Sequence, residues 1–104
     1  MIQVEIINGP ITPFPSDNSH QDNGAELVFN GRVRDTENGE NIIALEYEQY
    51  EGMAEAELRK LAKETVQKYL VHDLFCRHRV GKVNVGEASL HAVSYTHLTL
   101  PTKA

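Results

Sequence analysis

Two arginines close the apolar run "LVFNGRVR", and their spacing is the first feature of this chain that could do chemistry. Residues at i and i+2 on a strand point to the same side, so Arg32 and Arg34 would present paired guanidinium forks. Each fork matches the planar oxygens of a phosphate or carboxylate. Gly31 between Asn30 and Arg32 would let a ligand come close to the backbone. The competing reading is local: either arginine pairs with Glu37, Glu40 or Glu46 across a hairpin, at ~0–1 kcal/mol for an exposed ion pair.

Two further clusters carry reactive side chains. His72, Cys76 and His78 invite a metal, but zinc needs three or four converging ligands, and only Cys76 and His78 would share a strand face. No Cys-x-x-Cys or His-Glu-x-x-His frames them, so no metal is expected, and Cys76 reads as a small buried thiol. The stretch "HRVGKVNVGE" gathers His78, Arg79, Lys82 and Glu87 around two glycines, which by composition is a turn with solvated flanks. No phosphate-cradling glycine loop, nucleophile elbow or dinucleotide fingerprint is present.

The elements that must position these groups follow from periodicity. "IQVEII" alternates as a first strand. Residues 8–23, with three prolines, read as an extended loop or a short helical turn held by Pro13 and Pro15. "GAELVFNGRV" places Ala25, Leu27 and Phe29 inward, and "NIIALEYEQY" does the same with Ile43, Leu45 and Tyr47. Asn38-Gly39 between them is a strong hairpin signal, so these two strands are expected to pair. Residues 52–70 form an amphipathic helix whose stripe is Ala54, Leu58, Leu61, Thr65 and Tyr69. "DLFCRHRVGKVNVGEASLHAV" reads as two more strands broken at Gly81 and Gly86. The order β, long loop, ββ, α, ββ predicts an α+β domain: a largely antiparallel sheet with one main helix.

Composition bounds the function. The chain has 104 residues, 40% hydrophobic and 24% charged, which suits one globular domain. Its formal charge of −5 argues against nucleic acid as a partner, so the arginines are a local feature. A single cysteine permits no internal disulfide and points to a reducing, cytoplasmic setting. The N-terminal run is too short and too polar for a signal peptide or membrane span, and no membrane partner is expected.

Three blocks in order then carry a family resemblance. They are Gly31–Arg34 (G-x-V-R), Leu45–Ala54 (L-E-Y-E-x-Y…M-A) and His78–Glu87 (H-R-x-G…G-E). Over residues 24–93 the chain resembles the catalytic, large subunit of molybdopterin synthase. The resemblance implies an α/β hammerhead fold and a homodimer that docks a small ubiquitin-like sulfur-carrier subunit at each end. It implies transfer of two sulfurs from the carrier's thiocarboxylate terminus to cyclic pyranopterin monophosphate, forming the molybdopterin dithiolene without metal or other cofactor. The family's anion-binding segment maps onto Arg32, Val33 and Arg34. A non-catalytic module that captures an acidic peptide tail through Arg32 and Arg34 is the alternative.

The resemblance lapses after residue 93. Residues 1–93 are expected to form an incomplete family domain, and 94–104 a non-family, artefactual tail that resembles translated adapter sequence. The family continues with a His-Arg pair, a long helix and two functional lysines. Here His97 is followed by Leu98, and Lys103 stands in other surroundings, so neither takes a family role. The catalytic residues are therefore unassigned, and this short form is expected to be inactive.

Overall fold

One long strand organises the molecule. A computed structural model describes residues 1–15, 23–48, 52–69 and 71–96. Its elements in order are β1 (Ile2–Asn8), β2 (Ala25–Arg32), β3 (Thr36–Glu37), β4 (Glu40–Asn41), β5 (Ala44–Tyr47), α1 (Met53–Tyr69), β6 (Val71–Asn84) and β7 (Ala88–Thr96). Strand β6 is central: β1 runs parallel to it over Leu74–Val80, and β7 antiparallel over Val71–His78. Beyond the end of β1, β5 pairs antiparallel with Gly81–Asn84. Strand β2 completes the order β1-β6-β7-β2, and with β5 on β6 the sheet has five strands among the described residues. The α+β class and the largely antiparallel sheet stand.

Gly81 does not break β6. Its φ of +86° bends the strand where β1 gives way to β5, and a Cβ there would meet Asn8 Oδ1 at 3.2 Å. Only glycine takes that conformation without strain beside so close a neighbour.

The expected pairing of the second and third runs is not made. Asn38 and Gly39, with φ of 52° and 81°, do form a tight turn, but it joins only the two-residue strands β3 and β4. Strand β2 instead pairs with β7 along its whole length, Ala25 opposite Thr96 to Arg32 opposite Ala88. The turn fixes its own immediate neighbours; what lies farther out goes to the strands that offer a longer ladder.

Phe14 of the loop after β1 lies 5.6 Å (ring centroids) from both Phe75 and His91, so residues 10–15, an irregular extended segment, cover one sheet face. Val4 and Cys76, paired in register and buried, lie on the other face, where α1 packs on β1 and β6. The helix buries Ala62 rather than the expected Leu61 and Tyr69, which are 57% and 62% exposed. Its covered stripe is rotated to Ala54, Leu58, Ala62, Thr65 and Val66, because a small residue must sit where helix meets sheet most closely. Among the described residues α1 does not reach β7 or β2. Leu27 and Phe29, on the helix side of β2, are consequently more than half exposed and their inward role is not met; Val28 on the opposite face is 56% exposed and Ile43 86%.

Candidate functional site

The site is built where β2 ends against the β6–β7 turn. In that turn the Glu87 N–H donates to the Asn84 carbonyl (3.0 Å), and the Asn84 N–H donates to Glu87 Oε1 (2.9 Å). The segment after β2 locks onto it: Val33 N–H donates to the Glu87 carbonyl (3.1 Å) and Gly86 N–H to the Val33 carbonyl (2.9 Å). Val33 itself is 3% exposed, so a buried apolar side chain anchors the segment that carries both arginines.

Arg32 and Arg34 part company there. The ladder slips between Gly31 and Arg32, and β2 ends at Arg32, so the two-residue alternation stops applying. The Arg32 Nη1 donates to the Gly86 carbonyl at 2.9 Å, and its side chain lines a cavity. Arg34 stands outside that cavity, 72% exposed, and pairs with Glu37 at 2.7 Å. One arginine thus lines a cavity and the other holds a surface ion pair.

The cavity measures about 280 Å³. That is at the low end of small-molecule sites, which start at roughly 300 Å³, and suits an anionic head group more than a whole ligand. Pro10, Ile11 and Pro13 make its apolar wall; Asn30, Arg32, Arg79, Glu87 and His91 make its polar one, with Gly86 and Ala88 between. Arg79 is 9% exposed; its Nη2 donates to the Lys82 carbonyl at 2.8 Å and its Nη1 reaches Glu87 at a long 3.4 Å. Its Nε is buried without a partner. A buried guanidinium with one long carboxylate contact leaves its positive charge only partly offset beside the cavity. The Asn84 N–H, and secondarily Arg79, hold the Glu87 pKa below the ordinary carboxylate value, so it is ionised at neutral pH. Lys82 does not line the cavity.

Asn30, His91 and the Pro10–Pro13 wall were not singled out by sequence. Asn30 lies two residues before Arg32, and His91 alternates with Ala92, but only the β2–β7 register sets Asn30 opposite His91. The other reactive cluster disperses. His72 Nδ1 bonds Asn23 Oδ1 (2.6 Å), and His78 Nδ1 donates to the Ser89 carbonyl (2.9 Å). Burial pushes the Cys76 thiol up to about 11, so it carries no nucleophilic thiolate at neutral pH. Among the described residues no three His, Cys, Asp or Glu side chains converge to hold a metal ion, and no helix is long and apolar enough to cross a membrane. His97 and Lys103 lie outside the described residues, as do 97–104 as a whole, while β7 continues through the buried Tyr95 and Thr96.

With the geometry in place, similarity to known proteins decides the family. A model described as MoaE protein matches residues 10–97. This chain belongs to the MoaE family. The rat molybdopterin synthase catalytic subunit is 44% identical over 75 residues, which is 71% of this chain and 38% of the rat protein. A crystal structure of molybdopterin synthase from Staphylococcus aureus superposes with a TM-score of 0.75 at 26% identity, covering 90% of this chain and 70% of that one. The complex of subunits 1 and 2 of molybdopterin-converting factor from Helicobacter pylori gives 0.65 at 25% identity, covering 91% and 66%. The chain therefore has the fold of MoaE proteins and spans less than half the length of the mammalian relatives it matches.

Proposed function

We propose that this chain supplies the anion-binding part of a molybdopterin synthase in molybdenum cofactor biosynthesis. The reaction is sulfur transfer from the thiocarboxylate terminus of a small sulfur-carrier subunit to cyclic pyranopterin monophosphate. The observation that carries the reading is the cavity beside Arg32, backed by the buried, loosely neutralised Arg79. Once the thiocarboxylate sulfur has bonded to the precursor, water attacks the resulting thioester carbonyl. Negative charge builds on the carbonyl oxygen and on the departing thiolate, which stays on the precursor while the carrier leaves as its carboxylate. Fixed cations in a partly dry pocket stabilise that charge more than water-exposed ones do. Arg32 holds an anionic group of the substrate in the cavity, Val33 anchors the segment, and Arg34 exchanges Glu37 for the incoming carrier terminus. A carrier subunit and a second copy of this chain are the partners; the uncovered strip Leu27, Val28 and Phe29 supports assembly. No metal or other cofactor enters the step.

The acid–base groups are assigned to no residue of this chain, because the family's downstream lysines have no counterpart in residues 94–104. The assay accordingly uses a form extended by a family C-terminal segment. The test is dithiolene formation by the extended form, given thiocarboxylated carrier and precursor. Arg32→Ala should slow it at least about tenfold, the loss of one charge-assisted hydrogen bond of ~1.5–3 kcal/mol. Equal turnover by the variant would remove the cavity from the mechanism. Carrier capture without conversion by the extended form would favour the acidic-tail capture module instead.

A further inference from the structure

The Pro10–Pro15 segment is fastened over the sheet by a side chain that the sulfur chemistry does not use. His91 is 2% exposed and stacks on the Phe14 ring at 5.6 Å (24° between planes). Its Nε2 accepts the Phe14 backbone N–H at 3.1 Å, which leaves the proton of the neutral ring on Nδ1, donated to Asn30 Oδ1 at 2.7 Å. Asn30 therefore selects the tautomer whose free lone pair faces the segment. We propose that His91, oriented by Asn30, is a positioning residue that keeps Pro10, Ile11 and Pro13 in place as the apolar wall of the Arg32 cavity, and that the wall is held only while the imidazole is neutral. Calling the cavity an anion site rests on the proposed function; the latch itself stands on geometry.

Protonation removes the one lone pair that the Phe14 N–H uses and sets two donors face to face. The surroundings give an imidazolium nothing in exchange. Arg77 on β6 is paired in register with His91, and the Glu5 carboxylate on β1 is already engaged by Arg77 and Gln3. On the cavity side stand Arg32, Arg79 and the Arg79-bound Glu87. Burial, and then the Arg77 charge, hold the pKa of the latched ring below the ordinary histidine value. A ring released to solvent returns to about 6.5. The open state thus binds the proton more tightly than the latched one. The wall is fully held above about pH 6.5, and between that value and the latched pKa each unit of falling pH raises the open-to-latched ratio about tenfold.

The experiment is amide exchange on the 15N-labelled whole chain from pH 8 to pH 5, read as protection factors. The Phe14 amide is expected to lose protection about tenfold per pH unit within that window, while the Cys76 and Val93 amides keep theirs. In His91→Gln, whose side-chain carbonyl accepts without titrating, Phe14 protection should not depend on pH. A Phe14 amide that tracks Cys76 and Val93 throughout, or declines equally in His91→Gln, overturns the latch. Should the variant not fold, the native titration alone decides. Sulfate, whose charge is constant across this range, tests the cavity separately at pH 7.5. Saturable shifts at the Arg32 and Arg79 side-chain resonances support the anion site; their absence overturns that reading whatever Phe14 does.

Discussion

Replacing Arg77 by methionine should loosen the cavity wall while leaving the sheet intact. Arg77 is 19% exposed at its side chain and faces three partners at once. Its Nη1 donates to the Thr12 carbonyl (2.6 Å) and hydroxyl (3.2 Å), its guanidinium lies 3.9 Å from the Phe14 ring centroid, and its Nε donates to Glu5 (2.8 Å). Methionine keeps the apolar stem, so no cavity opens. A hydrogen bond from a charged donor contributes about 1.5–3 kcal/mol and a partly exposed cation–π contact about 0.5–1 kcal/mol. The Glu5 pair adds little, because that carboxylate is more than a third exposed and keeps its bond from Gln3. Since Thr12 is exposed, the lower end applies, about 2–2.5 kcal/mol in all, or roughly 30- to 60-fold more opening of the segment. Phe14 amide exchange should accelerate by that factor, with Cys76 and Val93 unchanged. The His91 pKa should rise in the same variant yet stay below the ordinary value, since burial, the larger cause, remains. Phe14 protection within about threefold of the parent would show that the segment is held by its apolar contacts alone, and the reasoning from Arg77 would fail.

Two further outcomes test the scaffold. Gly81→Ala should cost about 1–3 kcal/mol in urea denaturation, because a residue with a Cβ must hold φ near +86° beside Asn8; an unchanged midpoint would mean that β6 does not need this bend. The Cys76 thiol, at about 11, should resist iodoacetamide at pH 8 in the folded protein and react once urea unfolds it. Labelling of the native form at the rate of a free thiol would refute its burial.

The sequence was most legible where one residue pair decides the outcome locally. Asn38-Gly39 makes its turn, and the i,i+4 pattern yields the helix over Met53–Tyr69. It was least legible where an outcome depends on which surface lies opposite. Leu61 and Ala62 both fit a helical stripe, and the close approach of α1 to the sheet selects the smaller. Leu27 and Phe29 alternate like a buried strand, yet the helix stops short of β2. Arg32 stood out from spacing alone, but its separation from Arg34 follows from a ladder slip that no pattern of residue types announces. Asn30 and His91 are 61 residues apart in the chain and become a pair only through the β2–β7 register.

That register also explains how an acidic chain offers a cationic niche. Net charge describes the distant field, whereas an anion within a few ångströms of a guanidinium responds mainly to the groups that line its own site. Pairing β2 with β7 carries Arg32 to the turn at Gly86, and the alternation of β6 carries Arg79 to the same turn from the other side. Glu87 is the carboxylate that could cancel both. It is instead committed to the Asn84 N–H through Oε1 and meets Arg79 only at 3.4 Å through Oε2. The turn thus spends its acid on its own backbone and leaves the arginines incompletely neutralised. A hairpin of β2 with β5, as local turn chemistry suggested, would have withdrawn β2 from β7 and with it Arg32 from Arg79. The cationic site is therefore a property of the strand order, and the acidic residues elsewhere on the surface have little bearing on it.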